Sequence, residues 1–192
     1  KQAAVSVQPT PVKEIKEEVA TKITLSFVGD CLIATASGAA NRGSLNWTAD
    51  HQPPSYFFEN VADILRNDDF TVADCENVLT DSAFTPTAKQ GRAFWFRSAA
   101  KNASIFPGGN VDIVSVANNH TGDYGKAGFS DTIKALESAG MKVGYSNTPV
   151  IVEKDGVRIG IICCELWCYD HYRRTVSQLR KVESDTDIQV VF

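Results

Sequence analysis

The chain has 192 residues, 43% of them hydrophobic and 22% charged, proportions that exclude a protein disordered throughout. One core and a short tail fit this length, whereas two full domains do not. The net charge of -4 argues against a duplex DNA-binding protein, which needs a basic face, so no nucleic-acid partner is predicted. The longest apolar runs, such as IGIICC, are too short for a transmembrane segment.

The chain divides into a polar tail and one domain. Residues 1–22 have no aromatic side chain and carry a PTP segment and a mixed charge run, which predicts a flexible tail or linker. The apolar and β-branched runs in residues 23–192 predict a folded domain. The five cysteines form no C-x-x-C pair, so we expect most of them to be buried as small hydrophobic residues rather than to bind zinc.

A strand and a helix are predicted first after the tail. The segment 23–34, ITLSFVGDCLIA, predicts a strand that ends at Gly29–Asp30. A polar loop is expected over residues 41–50. The segment 53–69, PPSYFFENVADILRNDD, begins with prolines suited to a first helical turn and repeats apolar residues at helical spacing. The predicted apolar face comprises Phe57, Val61, Ile64 and Leu65.

The middle of the chain predicts three strands and a second helix. FTVADCE and AFWFR are expected to be short strands. Residues 110–119, NVDIVSVANN, form an almost continuous apolar run, which is typical of a strand buried on both faces of a parallel sheet. Residues 125–140 then predict a helix with Gly140 as its C-terminal cap.

The remaining residues predict four more strands and one more helix. KVGYS is expected to be a strand, and residues 150–164 a hairpin that turns at Asp155–Gly156. An irregular loop over 166–174, a helix around 175–184 and a last strand, DIQVVF, complete the chain. Strands that alternate with helices predict an α/β fold with a largely parallel central sheet and flanking helices.

Polar residues follow three of the predicted strands, where parallel α/β sheets gather their ligands. They are Asp30 after the first strand, Asp74 and Glu76 after the second, and Asn118, Asn119, His120 and Asp123 after the central one. Carboxylates, an amide and an imidazole at one edge would suit Mn, Fe(II), Zn or Mg. The sequence therefore predicts a divalent metal site.

Each of these motifs also has a purely structural interpretation. A Gly-Asp pair after a strand commonly forms a turn. Asp74 and Glu76 alternate along an extended chain, so only one of them is expected to face the site. The Asn-Asn-His triplet is the strongest indication of a metal site. Without a ligand, three polar side chains at the end of a buried strand would lack hydrogen-bond partners.

Taken together, the motifs resemble the bacterial capsule-synthesis family, named for CapA and for poly-γ-glutamate synthesis, which is similar to the calcineurin-like metallophosphoesterases. The resemblance covers about residues 23–192 and is carried by FVGDCLIA, DCENVLT and ANNHTGDYGKAGFSDTIKALESAG. It implies a metallophosphatase-like fold. It also implies that Asp30, Glu76 and Asn119 are ligands of a divalent metal site that includes His120, and that His120 is a catalytic proton donor or oxyanion-stabilising group.

This sequence departs from the family pattern in three ways. Asp74 stands where the family usually has Asn, and Leu32 where the wider superfamily places a His. The family continues into His-x-Gly and Gly-His-His segments, and this chain stops at Phe192, before both. A two-metal site needs more ligands than the few strand-end groups and three histidines present here. We therefore expect an incomplete, C-terminally truncated domain that has no turnover by itself.

Other residues are candidates for binding a substrate. Arg92 and Arg97 flank AFWF and could present guanidinium groups to carboxylates or phosphates, with Asn118 beside the metals; alternatively, the arginines only frame a half-buried strand. Residues 166–174, LWCYDHYRR, resemble a recognition surface for an anionic chain, with an ordinary surface loop as the alternative. His51 is expected to lie in a solvated loop.

Two functions remain open for the parent protein. The first is a metal-dependent hydrolase or transferase that acts on an anionic cell-envelope polymer or its phosphorylated precursor. The second is a non-catalytic accessory subunit that binds the polymer, or the subunits of a membrane polymer synthase. The resemblance and the polar tail imply an extracellular or cell-surface protein, tethered to the membrane through a missing N-terminal segment.

Overall fold

The computed structural model describes residues 21–192, so residues 1–20 of the predicted tail lie outside the described part. The strands are β1 (Leu25–Cys31), β2 (Thr35–Ala36), β3 (Phe70–Cys75), β4 (Val78–Leu79), β5 (Phe96–Ser98), β6 (Ile113–Ser115), β7 (Lys142–Gly144), β8 (Val150–Lys154), β9 (Val157–Ile162) and β10 (Ile188–Val191). The α-helices are α1 (Leu45–His51), α2 (Ala62–Leu65), α3 (Ile105–Gly108), α4 (Gly125–Ser138) and α5 (Tyr169–Val182). Short 3-10 turns cover Pro54–Phe58, Ala100–Ser104 and Glu183–Asp185.

The central sheet is parallel and has the strand order β1-β3-β6-β7. A second sheet, β10-β9-β8, contains one parallel and one antiparallel pair, and a small third sheet has the order β2-β5-β4. The predicted α/β class with a largely parallel central sheet and flanking helices is thus confirmed.

Two hydrophobic cores cover the two faces of the central sheet. Ala73 and Val114 face a core built with the helices, whereas their neighbours Val72 and Ile113 face a core shared with the second sheet. All four side chains are fully buried. Because successive strand residues point to opposite faces, both faces must be apolar, which is why these strands lack a polar alternation.

The predicted helix over 53–69 is wrong. The segment forms the 3-10 turn Pro54–Phe58 and then the one-turn helix α2. Between them, Val61 has φ -120 and ψ 1, which interrupts a continuous helix. Ile64, expected on the apolar face, is 65% exposed, and Phe58 is buried instead of Phe57.

Two segments predicted as loops are helical. Residues 45–51 form α1, which begins where the Ser44 hydroxyl accepts a hydrogen bond from the Trp47 amide. His51 therefore lies on a helix and stacks on Trp47, with ring centroids 4.0 Å apart. The segment 166–174 is irregular only at its start, because α5 begins at Tyr169.

The hairpin and the C-terminal helix cap were predicted correctly. β8 and β9 pair around Asp155 and Gly156, whose φ angles of 50° and 81° give the twist that a two-residue hairpin needs. Gly140 has φ 87° directly after α4, as the C-terminal cap requires. Among residues 21–192, no helix combines the length and the hydropathy needed to cross a bilayer.

Candidate functional site

The carboxyl ends of β1, β3 and β6 meet at one edge of the central sheet. Asp30 is the register partner of Asp74, and Asp74 is in turn the partner of Ser115. The register of β1 shifts between Val28 and Asp30, and β1 continues through Cys31 rather than ending at Gly29–Asp30 as predicted. Asp30 is exposed at this edge, whereas Asp74 is buried.

Asp74 is the buried carboxylate of the site. Its Oδ2 atom accepts a hydrogen bond of 2.9 Å from Asn118 Nδ2, whereas its Oδ1 atom is buried without a hydrogen-bond partner among the described residues. Burial raises the pKa of Asp74 to about 6, and the carboxylates of Asp30 and Glu76 add to this effect. The polar groups of Ser115 and Asn118 act in the opposite direction. The site therefore holds negative charge that no described cation neutralises.

Glu76 lies just beyond β3 and faces the imidazole of His120. Its Oε1 atom is 3.9 Å from His120 Nε2. Burial raises the pKa of Glu76, as does Asp30, whereas His120 lowers it. The expectation that only one of Asp74 and Glu76 faces the site is wrong, because residues two apart on an extended chain point to the same side, and the Glu76 carboxylate acts on the pKa of Asp74.

His120 is held in place by a buried carboxylate. Its Nδ1 atom donates a 2.9 Å hydrogen bond to Asp123 Oδ2, and its ring packs edge-on against Phe96 at a centroid distance of 4.7 Å. Asp123 is fully buried, and it also accepts a 2.7 Å hydrogen bond from the Phe96 amide and pairs with the Lys89 ammonium. With Nδ1 occupied in this way, the Nε2 atom of His120 is directed towards Glu76.

Lys89 and its loop were not predicted as part of the site. The Lys89 ammonium also donates to the Phe94 carbonyl at 2.8 Å, and the Thr87 amide donates to the Asp123 carbonyl at 2.9 Å. The Trp95 indole closes the loop by donating to the Thr87 carbonyl at 2.7 Å. These bonds fasten a distant loop onto the turn that carries His120.

Asn118 ties the ends of two strands together. Its amide nitrogen donates to Asp74 Oδ2 and to the Cys75 carbonyl, both at 2.9 Å. Its amide oxygen accepts from the backbone amides of His120 and Thr121, both at 3.0 Å. Both amide hydrogens are thus used within the protein, and the substrate contact predicted for Asn118 stays a prediction. Asn119 is exposed beside it, and its predicted role as a metal ligand also stays a prediction.

The two candidate arginines pack on aromatic rings. The Arg97 guanidinium lies over Tyr124 at 5.3 Å and donates to the Ser82 carbonyl at 3.3 Å. Arg92 is exposed and lies over Phe94 at 5.6 Å. Neither guanidinium is in a salt bridge with a carboxylate of residues 21–192. Their role in substrate binding stays a prediction.

The described residues do not contain a complete set of strong metal ligands. In residues 21–192 no three or more His, Cys, Asp or Glu side chains are close enough together to hold one ion. The cysteines at the edge are unsuitable, because burial raises the pKa of Cys31 to about 11 and that of Cys75 still further. Any ion bound here would take oxygen ligands from the carboxylates, from amides and from water.

The fold and this edge define an α/β protein whose acidic residues and one oriented histidine lie at the carboxyl end of a parallel sheet. The family model described as "Bacterial capsule synthesis protein PGA_cap" matches residues 24–189, and the chain belongs to this family. The predicted capsule-synthesis family is thus confirmed. The chain is also 25% identical over 138 residues to a capsule biosynthesis protein CapA of Bacillus anthracis. That match covers 71% of this chain and 32% of the relative, so the chain spans about a third of the relative's length.

Proposed function

We propose that the protein is a divalent-metal-dependent hydrolase or transferase of phosphate esters that serves capsule biosynthesis. Membership of the capsule-synthesis family supports the biological role. The observation that carries the chemistry is the buried carboxylate of Asp74, whose Oδ1 atom has no hydrogen-bond partner among the described residues and whose pKa the neighbouring carboxylates of Asp30 and Glu76 raise further. A buried carboxylate oxygen without a donor is costly, and a cation is the simplest group that satisfies it.

The donor set fits a hard divalent ion. The carboxylates of Asp30, Asp74 and Glu76 repel one another at this edge of the sheet. A bound cation would attract all of them and offset the repulsion. Mg²⁺ and, by the same ligand preference, Mn²⁺ bind with one or two carboxylates and several waters, so Asp74 and one acidic neighbour, Asp30 or Glu76, would suffice without a third carboxylate. Catalytic zinc takes three protein ligands, so we favour Mg²⁺ or Mn²⁺ over Zn²⁺ or Fe²⁺.

His120 supplies the proton in this proposal. A bound divalent ion would polarise the phosphate and make water a better nucleophile. Asp123 holds Nδ1 of His120, so Nε2 is the atom that can donate a proton to the leaving oxygen. Lys89 pairs with Asp123 and holds it in place, and Phe96 restricts the rotation of the imidazole. In this proposal the substrate is a phosphorylated precursor of an anionic envelope polymer. The protein would act on it at the cell surface.

Hydrolysis of bis-(p-nitrophenyl) phosphate by the intact protein with Mn²⁺ or Mg²⁺ tests the proposal. His120→Ala is expected to lower the rate by about a hundredfold or more, the usual contribution of a general acid. His51→Ala is the matched control, because His51 is exposed on α1, where it bonds to the Trp47 carbonyl and stacks on the Trp47 ring. EDTA is expected to abolish the activity. Equal rates for the two variants, or activity that survives EDTA, would contradict the proposal.

A non-catalytic role is the second candidate function. The exposed aromatic and basic side chains near the start of α5 favour a protein that binds a polymer without cleaving it. In that case neither His120→Ala nor His51→Ala changes the rate of phosphodiester hydrolysis, and the protein still binds the polymer in EDTA. The same preparations thus separate the two functions, and the partners in the second would be the polymer and a membrane synthase.

A further inference from the structure

The loop that leads into β5 presents an exposed aromatic ring beside the candidate site. The Phe94 side chain is 47% exposed. Its ring is nearly parallel to that of Phe96, at a centroid distance of 6.2 Å and an angle of 14°. The Phe96 ring in turn packs edge-on against the imidazole of His120. Two ring contacts in series therefore connect the exposed Phe94 ring to the proposed proton donor.

A buried ion pair fixes the backbone around Phe94. The Lys89 ammonium donates a 2.8 Å hydrogen bond to the Phe94 carbonyl and also pairs with the fully buried carboxylate of Asp123. The Phe96 amide, two residues further along, donates to the same carboxylate at 2.7 Å. Asp123 also orients His120, so one buried group positions both the imidazole and the chain that carries the exposed ring. A binding group that is positioned in advance loses little conformational entropy when its ligand arrives.

A guanidinium group lies over the Phe94 ring. The Arg92 guanidinium carbon is 5.6 Å from the ring centroid, which is a cation–π contact. Arg92 is exposed and forms no salt bridge within residues 21–192. A long side chain that no carboxylate holds can move outward and admit a flat group between its guanidinium plane and the ring. Phe94 and Arg92 thus provide two flat surfaces that face the same ligand.

Two flat surfaces of this kind select a planar ring. Aromatic side chains and guanidinium planes are the groups on which proteins stack nucleobases. An alkyl chain or a saturated sugar would contact Phe94 but has no flat face on which Arg92 could stack. The nearby edge of the sheet, with Asp74 and His120, is where the phosphate of the ligand would lie. The ligand class that combines both features is a phosphate ester that carries a planar ring.

We propose that the substrate of this site is a nucleotide-like phosphate ester whose planar ring stacks between Phe94 and Arg92. Phe94 is then a specificity-determining residue, because it contacts the ring and takes no part in the proton transfer by His120. The proposal rests on the phosphate site proposed above and adds the class of substrate. A single ring with its phosphate needs no extended basic face, so the net charge of -4 is compatible with this substrate.

Uridine 5′-monophosphate and ribose 5-phosphate test the proposal, because they share the sugar and the phosphate and differ by the base. Their binding to the intact protein in Mn²⁺ is measured by isothermal titration calorimetry. We expect the wild type to bind uridine 5′-monophosphate about tenfold more tightly, in line with the stacking of one base on an aromatic side chain. In Phe94→Ala this preference is expected to disappear, while the affinity for ribose 5-phosphate stays within about twofold.

Matched variants separate stacking from a structural role. Phe94→Tyr retains a flat ring and is expected to retain the preference for uridine 5′-monophosphate. Tyr56→Ala removes an exposed aromatic ring from the 3-10 turn Pro54–Phe58, and it is expected to leave both affinities unchanged. Arg92→Ala removes the second flat surface and is expected to reduce the preference, whereas Arg42→Ala removes an exposed arginine elsewhere and is expected to preserve it.

Several outcomes would overturn the proposal. Equal affinity of the wild type for the two ligands would remove the ring preference and leave the phosphate site intact. An equal loss of both ligands in Phe94→Ala would show that Phe94 supports the site without contacting a ring. The absence of binding by either ligand would overturn the phosphate site and this inference together. Self-association of the wild type that disappears in Phe94→Ala, seen by sedimentation, would assign the exposed ring to a second copy of the chain.

Discussion

Replacing Asp74 with asparagine is expected to stabilise the protein at neutral pH when no metal ion is bound. Burial raises the pKa of Asp74 from its ordinary value of 3.8 to about 6, with Asp30 and Glu76 adding to the effect. A difference of about two in pKa corresponds to about 3 kcal/mol. The folded protein holds this proton more tightly than the unfolded chain does. Ionised Asp74 therefore destabilises the fold above about pH 6, and this effect disappears below about pH 4.

Urea unfolding in EDTA measures this effect. The neutral amide at position 74 can still accept the hydrogen bond from Asn118, so the gain in free energy of unfolding is expected to be about 3 kcal/mol near pH 7.5 and about 1 kcal/mol near pH 4.5. Asp63→Asn is the control, since Asp63 is exposed and its ion pair with Arg66 contributes little. A variant less stable than the wild type near pH 7.5, or a gain that is the same at both pH values, would refute the reasoning.

Three further predictions concern packing and reactivity. Leu136→Ala removes a fully buried side chain of α4, and urea unfolding is expected to show a loss of about 2–5 kcal/mol; a loss below that range would place Leu136 outside the core. Gly109→Ala sets a new Cβ atom in steric conflict with the Phe58 ring, so thermal unfolding is expected to show a loss of about 1–3 kcal/mol, and an unchanged midpoint would contradict the packing. A thiol reagent is expected to label exposed Cys168 first, whereas burial raises the pKa of Cys163 to about 12 and protects it; peptide mapping that finds Cys163 labelled first would be contrary to the structure.

The central sheet was predictable because its strands carry apolar residues on both faces. Val72 and Ala73 point into different cores, and the uninterrupted apolar pattern follows from that. Helix α1 was not predictable in the same way, because LNWTADH offers the core only Leu45 and Ala49, and the helix begins at the Ser44 cap. The helix predicted over 53–69 rested on apolar residues at helical spacing. That spacing does not ensure one continuous buried face, and here Ile64 faces solvent.

The edge of the site was also partly predictable. Asp30, Asp74 and the segment 118–120 come near the ends of apolar runs, so the sequence predicts that they lie close to the carboxyl ends of strands. Asp123 is three residues from His120, and a contact at that distance along a turn could be anticipated. Lys89 is 34 residues from Asp123, and no local pattern marks it. Its pairing depends on how the loop folds over the third sheet, which only the tertiary structure shows.

Binding of Mn²⁺, followed by electron paramagnetic resonance, tests the central claim most directly, because it reports on the ion rather than on turnover. Glu76→Gln removes a carboxylate at the edge of the sheet, and Glu59→Gln is its control at an exposed position. The account predicts saturable binding in the wild type and in Glu59→Gln, and binding weakened about tenfold or more in Glu76→Gln, in line with the loss of a charged ligand. Equal affinity in the two variants, or the absence of saturable binding in the wild type, would contradict it.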